Sequence, residues 1–595
     1  MVKRASDSGG DSIRIAVFRV LMECIMRRFM QLSACAVVGA FAGLALGQAT
    51  VNPDAAKKPA VEVDISKPKE GPGRVGWWND AVFYQIFVRS FQDNPRGSKS
   101  GDGIGDFQGL ITRLDYLNDG DPKTDTDLGV NAIWLMPIMQ SPSYHGYDVT
   151  DYKMIEQDYG TNADFQKFME EAEKRGIKVI LDLVLNHTSD KHPWFSESSK
   201  PKGEQRDWYI WSQKDPGYKG PWNQNVWHKR GGSFYYGIFS DRMPDLNYAN
   251  PLVTREMLDI TKWGLTDLNV HGYRLDAIRH LFEDGQLQES APQTFEWLKQ
   301  YFAATKEADP EAFSIGEVWA PSEQASMYVG GMMDAVFEFD LASAMIDAAR
   351  DGDAKRIIDA QAKVRALYPP NQYGRFLSNH DQTRVMTRLR DDEASGQVAA
   401  VMLLTGPGIP FIYFGEELGM TGDKPDENLR TPMQWENSRT GGFTSGKPWR
   451  AVQPDIARKN LATQRKDDDS MFNLYRRLVH LRTGSEALRA GQYMPVESGH
   501  PGVYAFIRFS GSDDERGRRA KDVKLVLVNL TAQPVSEYAL KAPLRLGSAG
   551  VSKEVLSGAA ITEANWSDSG VFVDWKPLVE LEAKRGYVID IKPTE

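Results

Sequence analysis

Short apolar runs alternate along most of this chain with longer stretches of mixed polarity. The runs fall at Val82–Val88, Ala132–Met136, Val179–Val184, Gly272–Asp276, Phe313–Val318, Ala335–Phe339, Arg375–Leu377 and Ile409–Phe414. Runs of this length, bounded by polar segments, read as strands buried on both faces. Between several of them lie helix-like stretches, such as Asn162–Arg175 with its Glu/Lys-rich face. Eight buried runs with intervening helices predict the α/β class, as a (β/α)8 TIM barrel. A doubly wound sheet is the alternative, but no glycine-rich phosphate loop of the required form supports it. Two intervals break the rhythm. The irregular stretch from about Thr188 to Asn250 holds Trp194, Trp208, Trp211, Trp222 and Trp227, and a long insertion after a barrel strand lies on the face that carries the active site. After about Gly491, Val503–Phe509, Val523–Leu530, Val571–Trp575 and Tyr587–Ile591 read as strands and Ser512–Asp522 as a solvated turn, which predicts a C-terminal antiparallel β-sandwich.

The N-terminal region has a different texture. Met26–Gly47 combines a basic start, an apolar stretch and small residues before a cleavage point near Gly47 to Ala49, the pattern of a secretory signal, and the stretch is short for a membrane span. Met26 is the expected start of that signal. Leu32-Ser-Ala-Cys35 resembles a lipoprotein box, although the apolar stretch follows this Cys instead of preceding it; an uncleaved anchor is the other alternative. The division is therefore leader 1–48, Pro/Lys/Ala-rich linker 49–76, barrel 77–187 and 251–490, insertion 188–250 and sandwich 491–595. Export to the periplasm or beyond is expected, with no membrane contact other than the export signal. The 595 residues exceed one compact domain. The net charge is −10, and the leader is positive, so the body is more acidic still; this argues against nucleic-acid binding and is compatible with a neutral ligand. Both cysteines, Cys24 and Cys35, fall in the leader, so the body has neither a disulfide nor a thiol nucleophile.

Three of the apolar runs stop at an acid: Asp276 in Gly272-Tyr-Arg-Leu-Asp276, Glu317 in Phe313-Ser-Ile-Gly-Glu317 and Asp381 in Phe376-Leu-Ser-Asn-His-Asp381. A carboxylate at the end of a buried strand is costly without partners or a task. Paired carboxylates at one site are the machinery of glycosidic bond cleavage. Arg274 precedes Asp276 by two residues, so both side chains leave the strand on one face and the guanidinium favours an ionised Asp276. Asp93 and Ser100-Gly-Asp-Gly-Ile-Gly-Asp106 read as a calcium loop, in which Asp102, the Ile104 carbonyl and Asp106 supply hard oxygens around a glycine-allowed curve.

At these motifs the chain resembles glycoside hydrolase family 13, the α-amylase family. Asp182-Leu-Val-Leu-Asn-His187, Gly272–Ala277, Gly316-Glu-Val-Trp319 and Leu377-Ser-Asn-His-Asp381 resemble its four characteristic segments, Met243-Pro-Asp-Leu-Asn247 its fifth, and Gly408–Glu417 its eighth strand. The resemblance implies a barrel with domain B inserted after strand three and a β-rich domain C. It implies Asp276 as nucleophile, Glu317 as general acid/base and Asp381 as the third acid. His187, His380, His145, Tyr147, Asp148, His280, Arg384 and Arg274 are the implied sugar contacts. It also implies a second calcium site involving Asn186 at the junction of domains A and B. The loop after Asp93 departs from the compact Asp-x-Asn-x-Asp-Gly-x-Gly-Asp form of several members because Asn94–Ser100 lengthens it. Ala277 and Arg279-His280 resemble α-1,4-acting amylases, and Met243–Asn247 the group between oligo-1,6-glucosidases and neopullulanases; Arg430-Thr-Pro-Met-Gln-Trp435 also occurs in α-glucosidases and trehalose synthases. The expected activity is a retaining α-amylase, acting as a monomer on α-glucans or maltooligosaccharides with calcium bound. An exo-acting α-glucosidase or glucan-transferring enzyme is the alternative, and a non-enzymatic binding ectodomain a third reading that the three acids and Arg274 oppose.

Overall fold

The computed structural model describes residues 64–65, 67–95, 99–511, 520–542, 552–564 and 572–592. The leader, both cysteines, most of the linker and residues 512–519 of the stretch expected to be a turn lie outside them. Among the described residues no helix is long and apolar enough to cross a membrane.

Eight parallel strands form the core: β1 (Phe83–Ile86), β2 (Ala132–Leu135), β3 (Lys178–Val184), β4 (Gly272–Asp276), β5 (Phe313–Gly316), β6 (Ala335–Val336), β7 (Gly374–Arg375) and β8 (Ile409–Tyr413). Each pairs with its neighbour in sequence, β8 pairs with β1, and a parallel bridge from Phe337 to Gly374 joins β6 to β7, so the sheet closes into a barrel. The strands are buried on both faces, as their unbroken apolar texture requires. The pleat sorts the interior into levels. Phe83, Phe313, Phe411 and Trp134 pack in the lower part, with Phe83 and Phe411 stacked at 4.5 Å. Toward the C-terminal mouth a polar layer follows: Gln85, two residues after Phe83, the register partners Asp182 and Arg274, and Asp276, two residues after Arg274.

Several strands are shorter than the sequence predicts, β1, β5 and β6 most of all. Phe339, read as the end of a run, instead opens the helix Phe339–Asp351, and Leu377 lies beyond β7. The insertion after β3 contains a short helix, Pro193–Ser198, and a three-stranded sheet of Trp211–Ser212, Trp227–Arg230 and Ser233–Tyr236. The end of the linker is seated on the barrel: Lys69 bonds the Arg365 and Leu367 carbonyls, and Asn371 Nδ2 donates to the Gly73 carbonyl.

The C-terminal domain is a five-stranded antiparallel sheet of β9 (Gln492–Pro495), β10 (Val503–Ser510), β11 (Asp522–Asn529), β12 (Lys553–Glu554) and β13 (Arg585–Asp590), in the order β9-β10-β11-β13-β12. One face of β10 turns Tyr504 and Phe506 to the barrel core, while Val503, Ala505, Ile507 and Phe509 meet Leu540, Phe572 and Trp575 on the other. Of the stretch read as a strand at Val571–Trp575, Val571 lies outside the described residues and Trp575 bridges Leu540. Arg508 keys this domain to the barrel, at a helix end that two buried barrel arginines, Arg375 and Arg482, also hold. Arg508 donates to the Thr405 carbonyl, Arg482 to those of Leu404 and Gly406, and Arg375 to that of Met402. Together they occupy carbonyls at the C-terminus of the helix Glu393–Thr405, where backbone acceptors lack intrahelical partners and the helix dipole favours cations.

Candidate active site

The polar layer at the barrel mouth converges on Arg274. Its Nη1 donates to Asp182 Oδ1 and Asp276 Oδ1, both at 2.7 Å, and its Nη2 lies 2.9 Å from Glu317 Oε2. The parity argument for Arg274 and Asp276 is thus met in space. Glu317, the residue after β5, also accepts the Ala277 N–H at 3.2 Å. Asp381 follows β7 and is gripped from two sides, by Arg430 Nη2 at 2.8 Å and His380 Nε2 at 3.1 Å. Gln85 Nε2 meets His380 Nδ1 at 2.7 Å, which leaves Nε2–H to face Asp381 and the Tyr147 hydroxyl. That hydroxyl donates in turn to Asp182 Oδ2 at 2.9 Å. The three acids, Arg274, His380 and Tyr147 therefore form one hydrogen-bonded constellation, drawn from strand ends that are distant in sequence.

The charges are unequal by construction. Burial raises Glu317 to about 8; Arg274 opposes this, and the neighbouring charges of Asp276 and Asp381 add to it. Asp381 goes the other way. Burial raises it, but His380 and then Arg430 outweigh that and hold it well below the usual carboxylate range. Burial alone would lower Arg274, yet Asp182, Glu317 and Asp276 keep it firmly cationic. Burial lowers His187 and takes His280 down to about 3, so both rings are neutral. The site thus pairs a protonated carboxyl with permanently charged groups in a largely dry cup, the division of labour that acid-assisted acetal cleavage needs.

The other sugar contacts expected from sequence are placed as follows. His187 lines the mouth, with Nε2 toward the Tyr147 carbonyl at 3.1 Å and its ring against Phe239 at 5.2 Å. Tyr147 stacks on His380 at 5.4 Å, and His145 lies beside it. His280 is backed by Gln288 and meets the rings of Trp222 and Phe239. Of the five tryptophans in the insertion, Trp222 is the one that meets a predicted sugar contact while remaining 40% exposed. Asp148 is turned to the Ser141 and Ser143 hydroxyls and braces its own loop. Arg384 is a correction: its side chain is buried and donates to the Leu429 and Phe414 carbonyls, so it supports the loop after β8 instead of facing sugar. The arginine that does reach the acids is Arg430, which sequence reasoning did not assign to the site. It lies 49 residues from Asp381, and no spacing rule links them.

The comparisons bear on what this constellation is. Residues 85–491 match the family model described as "Alpha amylase, catalytic domain". The chain belongs to glycoside hydrolase family 13. It is 36% identical to alpha-amylase 3 of Dictyoglomus thermophilum, over 72% of this chain and 82% of that protein. It is 32% identical to an oligo-1,6-glucosidase of Parageobacillus thermoglucosidasius, over 73% of this chain and 89% of that one. Among solved structures it resembles an alpha-amylase from H. orenii with a TM-score of 0.74 and 37% identity, covering 86% of this chain and 99% of that chain. It is accordingly a glycosidase of the α-amylase family, with α-glucans as its class of substrate.

Ala277, next to Asp276, has left-handed backbone with φ 49° and ψ 33° and is buried. A β-branched side chain there strains the backbone by roughly 1–2 kcal/mol and crowds the N–H that holds Glu317. Ala277→Val is expected to lower the melting temperature by a few degrees and kcat/KM on maltooligosaccharides by about tenfold, read by thermal melts and initial rates.

The metal ligands expected from sequence divide into two places. In the loop, Asp93 accepts the Gly101 and Gly103 N–H groups and the Thr444 hydroxyl, Asp102 accepts from Ile104 N–H, and Asp106 caps the helix Phe107–Ile111 through Gly109 N–H. Burial, and then the charges of Asp93 and Asp102, raise Asp106 to about 6. At the insertion, Asn186 Oδ1, Asp245 Oδ2 and Glu283 Oε1 are all buried without a hydrogen-bond partner. Burial raises Asp245 to about 8, and burial followed by the Asp245 charge raises Glu283 well above its ordinary value. Among the described residues no three His, Cys, Asp or Glu side chains form a ready metal cage, so amide or carbonyl oxygens would have to join either set.

Proposed function

We propose that this protein is a retaining α-amylase that cleaves α-1,4-glucosidic bonds of starch-like glucans and maltooligosaccharides through a glycosyl-enzyme. The observation that carries the reading is the shared guanidinium: Asp276 lies on Nη1 of Arg274 and Glu317 on its Nη2. Two carboxyls gathered on one guanidinium at the barrel mouth can reach the same sugar unit, as the double displacement of a retaining enzyme needs. In the first half-reaction Asp276 attacks the anomeric carbon, the glycosidic C–O bond breaks, and Glu317 gives its proton to the leaving oxygen. In the second, Glu317 takes a proton from water, the water oxygen bonds the anomeric carbon and Asp276 departs. Asp381, kept ionised by Arg430 and His380, grips sugar hydroxyls and faces the positive charge that develops in each transition state. The α-1,4 preference rests on Ala277 and the neutral His280 on the leaving side.

A second reading has its own support. Arg430 spans Asp381, Asp426 and the Tyr144 hydroxyl, while Trp449 stacks on Tyr144 at 5.4 Å, so the loop after β8 walls one side of the cup. A wall there suits a chain end and favours exo action, as in an α-glucosidase or a glucan-transferring relative. Maltoheptaose separates the two. Mixed short oligosaccharides in the first minutes support the amylase, while glucose alone from the outset overturns it in favour of the exo enzyme.

Calcium belongs to this proposal, and the three unpartnered oxygens of Asn186, Asp245 and Glu283 fit it better than the loop, whose acids already accept N–H groups. A hard divalent cation there would neutralise buried acids and tie the insertion to the barrel, where Leu246 N–H already donates to the Asn186 carbonyl at 2.9 Å. Chelation is expected to lower the melting temperature and calcium to restore it, by ~2.7 kcal/mol at a hundredfold excess over Kd. Asn186→Ala should blunt that response more than Asp102→Ala, as read by melts with and without calcium. Export and a monomeric state complete the proposal; the former rests on the leader sequence alone.

A further inference from the structure

A groove of about 830 Å³ lies at the seam between the C-terminal sheet and the helices Met471–Thr483 and Glu486–Ala490. It shares no lining residue with the catalytic constellation. Its sheet wall is built by strand register. Lys524 of β11 pairs with Asp590 of β13, and Asp590 pairs with Lys553 of β12, so the three form one row across neighbouring strands. Residues in such a row project from the same face, and two strand spacings put the lysine backbones only about 9–10 Å apart. Lys592 follows Asp590 by two residues and also lines the groove, as does Lys521.

The charges in this groove do not cancel. Lys524 holds both nearby acids, Asp522 and Asp590. Arg489 is committed to Asp80, and Glu486 takes the Ser510 hydroxyl. Among the described residues Lys521, Lys553 and Lys592 have no carboxylate partner, yet all three border one cavity in a chain whose net charge is −10. Cations gathered around a cavity repel one another and focus a field that attracts anions. Among the described residues the lining contains no Trp, Tyr or Phe, so a neutral sugar finds no ring there to stack on. The volume is within the about 300–1,000 Å³ of small-molecule sites, larger than a bare oxyanion needs.

We propose that this groove is a binding site for a phosphate group, either free or carried as an ester on a glucose unit. The site is separate from catalysis and independent of which glucan the enzyme cuts. The test is isothermal titration of the full-length protein at low ionic strength with inorganic phosphate and with glucose 6-phosphate, in the parent and in the Lys553→Ala/Lys592→Ala variant. Saturable phosphate binding is expected, weakened by about 0.5 M salt through screening and at least tenfold weaker in the variant, whose starch hydrolysis stays at the parent rate. Comparison with the variant subtracts any glucose 6-phosphate bound at the catalytic cup. Tighter groove binding of glucose 6-phosphate than of phosphate assigns the ester, and equal binding assigns the free ion. Absence of saturable phosphate binding, or equal affinity in parent and variant, overturns the proposal.

Discussion

Asp276→Asn is expected to lower kcat on soluble starch by on the order of 10⁴-fold or more while leaving the fold intact. The amide removes the nucleophile but keeps its shape. Arg274 still has Asp182 and Glu317 to pair with, so its buried charge is not stranded and the melting temperature should move little. Circular dichroism and a thermal melt beside the rate assay separate lost chemistry from lost structure. The size of the effect reflects a loss that no neighbour can supply. Asp182 is bound by Arg274, Tyr147 and Trp134 at the floor of the cup, and Asp381 by Arg430 and His380, so neither is free to take over the attack. Parent-like turnover in Asp276→Asn would remove the assignment.

The second large effect concerns Glu317. Its carboxyl must be protonated to assist departure of the leaving group, and it is raised to about 8. The acid form therefore predominates at neutral pH, and kcat/KM is expected to fall as pH rises through about 8. The sign of the coupling can be checked. The Asp381 charge helps to raise Glu317, so Asp381→Asn should move the basic limb to lower pH as well as slow the reaction. Glu317→Gln should cost about 10²–10⁴-fold on starch but much less in the first step on an aryl glycoside, whose leaving group needs no proton. Its residual activity should lose the basic limb. A limb near pH 8 that survives in Glu317→Gln would assign that titration to another group.

The catalytic core was legible in the sequence because two local rules, an apolar run ended by an acid and the two-residue pleat, survive folding. Arg274 and Asp276 sit together because residues two apart share a face. The same parity, applied to β1, would have found Gln85, which aligns His380 and lies two residues after the buried Phe83. Arg384 failed as a sugar contact because closeness to Asp381 in sequence says nothing about direction; its chain turns inward to the carbonyls after β8. Arg430 could not be read at all, since only the path of a long loop brings it to Asp381. The same holds for the buried, unpartnered oxygens of Asn186, Asp245 and Glu283, which come from separate stretches of the chain. At β6 the apolar pattern overran the strand because Phe339 begins a helix that is itself buried along one face. A run of hydrophobic residues marks burial before it marks a strand end.

The account rests on Asp276 and Glu317, gathered by Arg274, working as the nucleophile and the acid/base of a retaining enzyme. The direct test is the configuration of the first product, followed by proton NMR on a maltooligosaccharide before mutarotation scrambles the anomers. A newly formed reducing end that appears first as the α-anomer is the expected result; the β-anomer appearing first would contradict the double displacement and the roles given to both carboxylates.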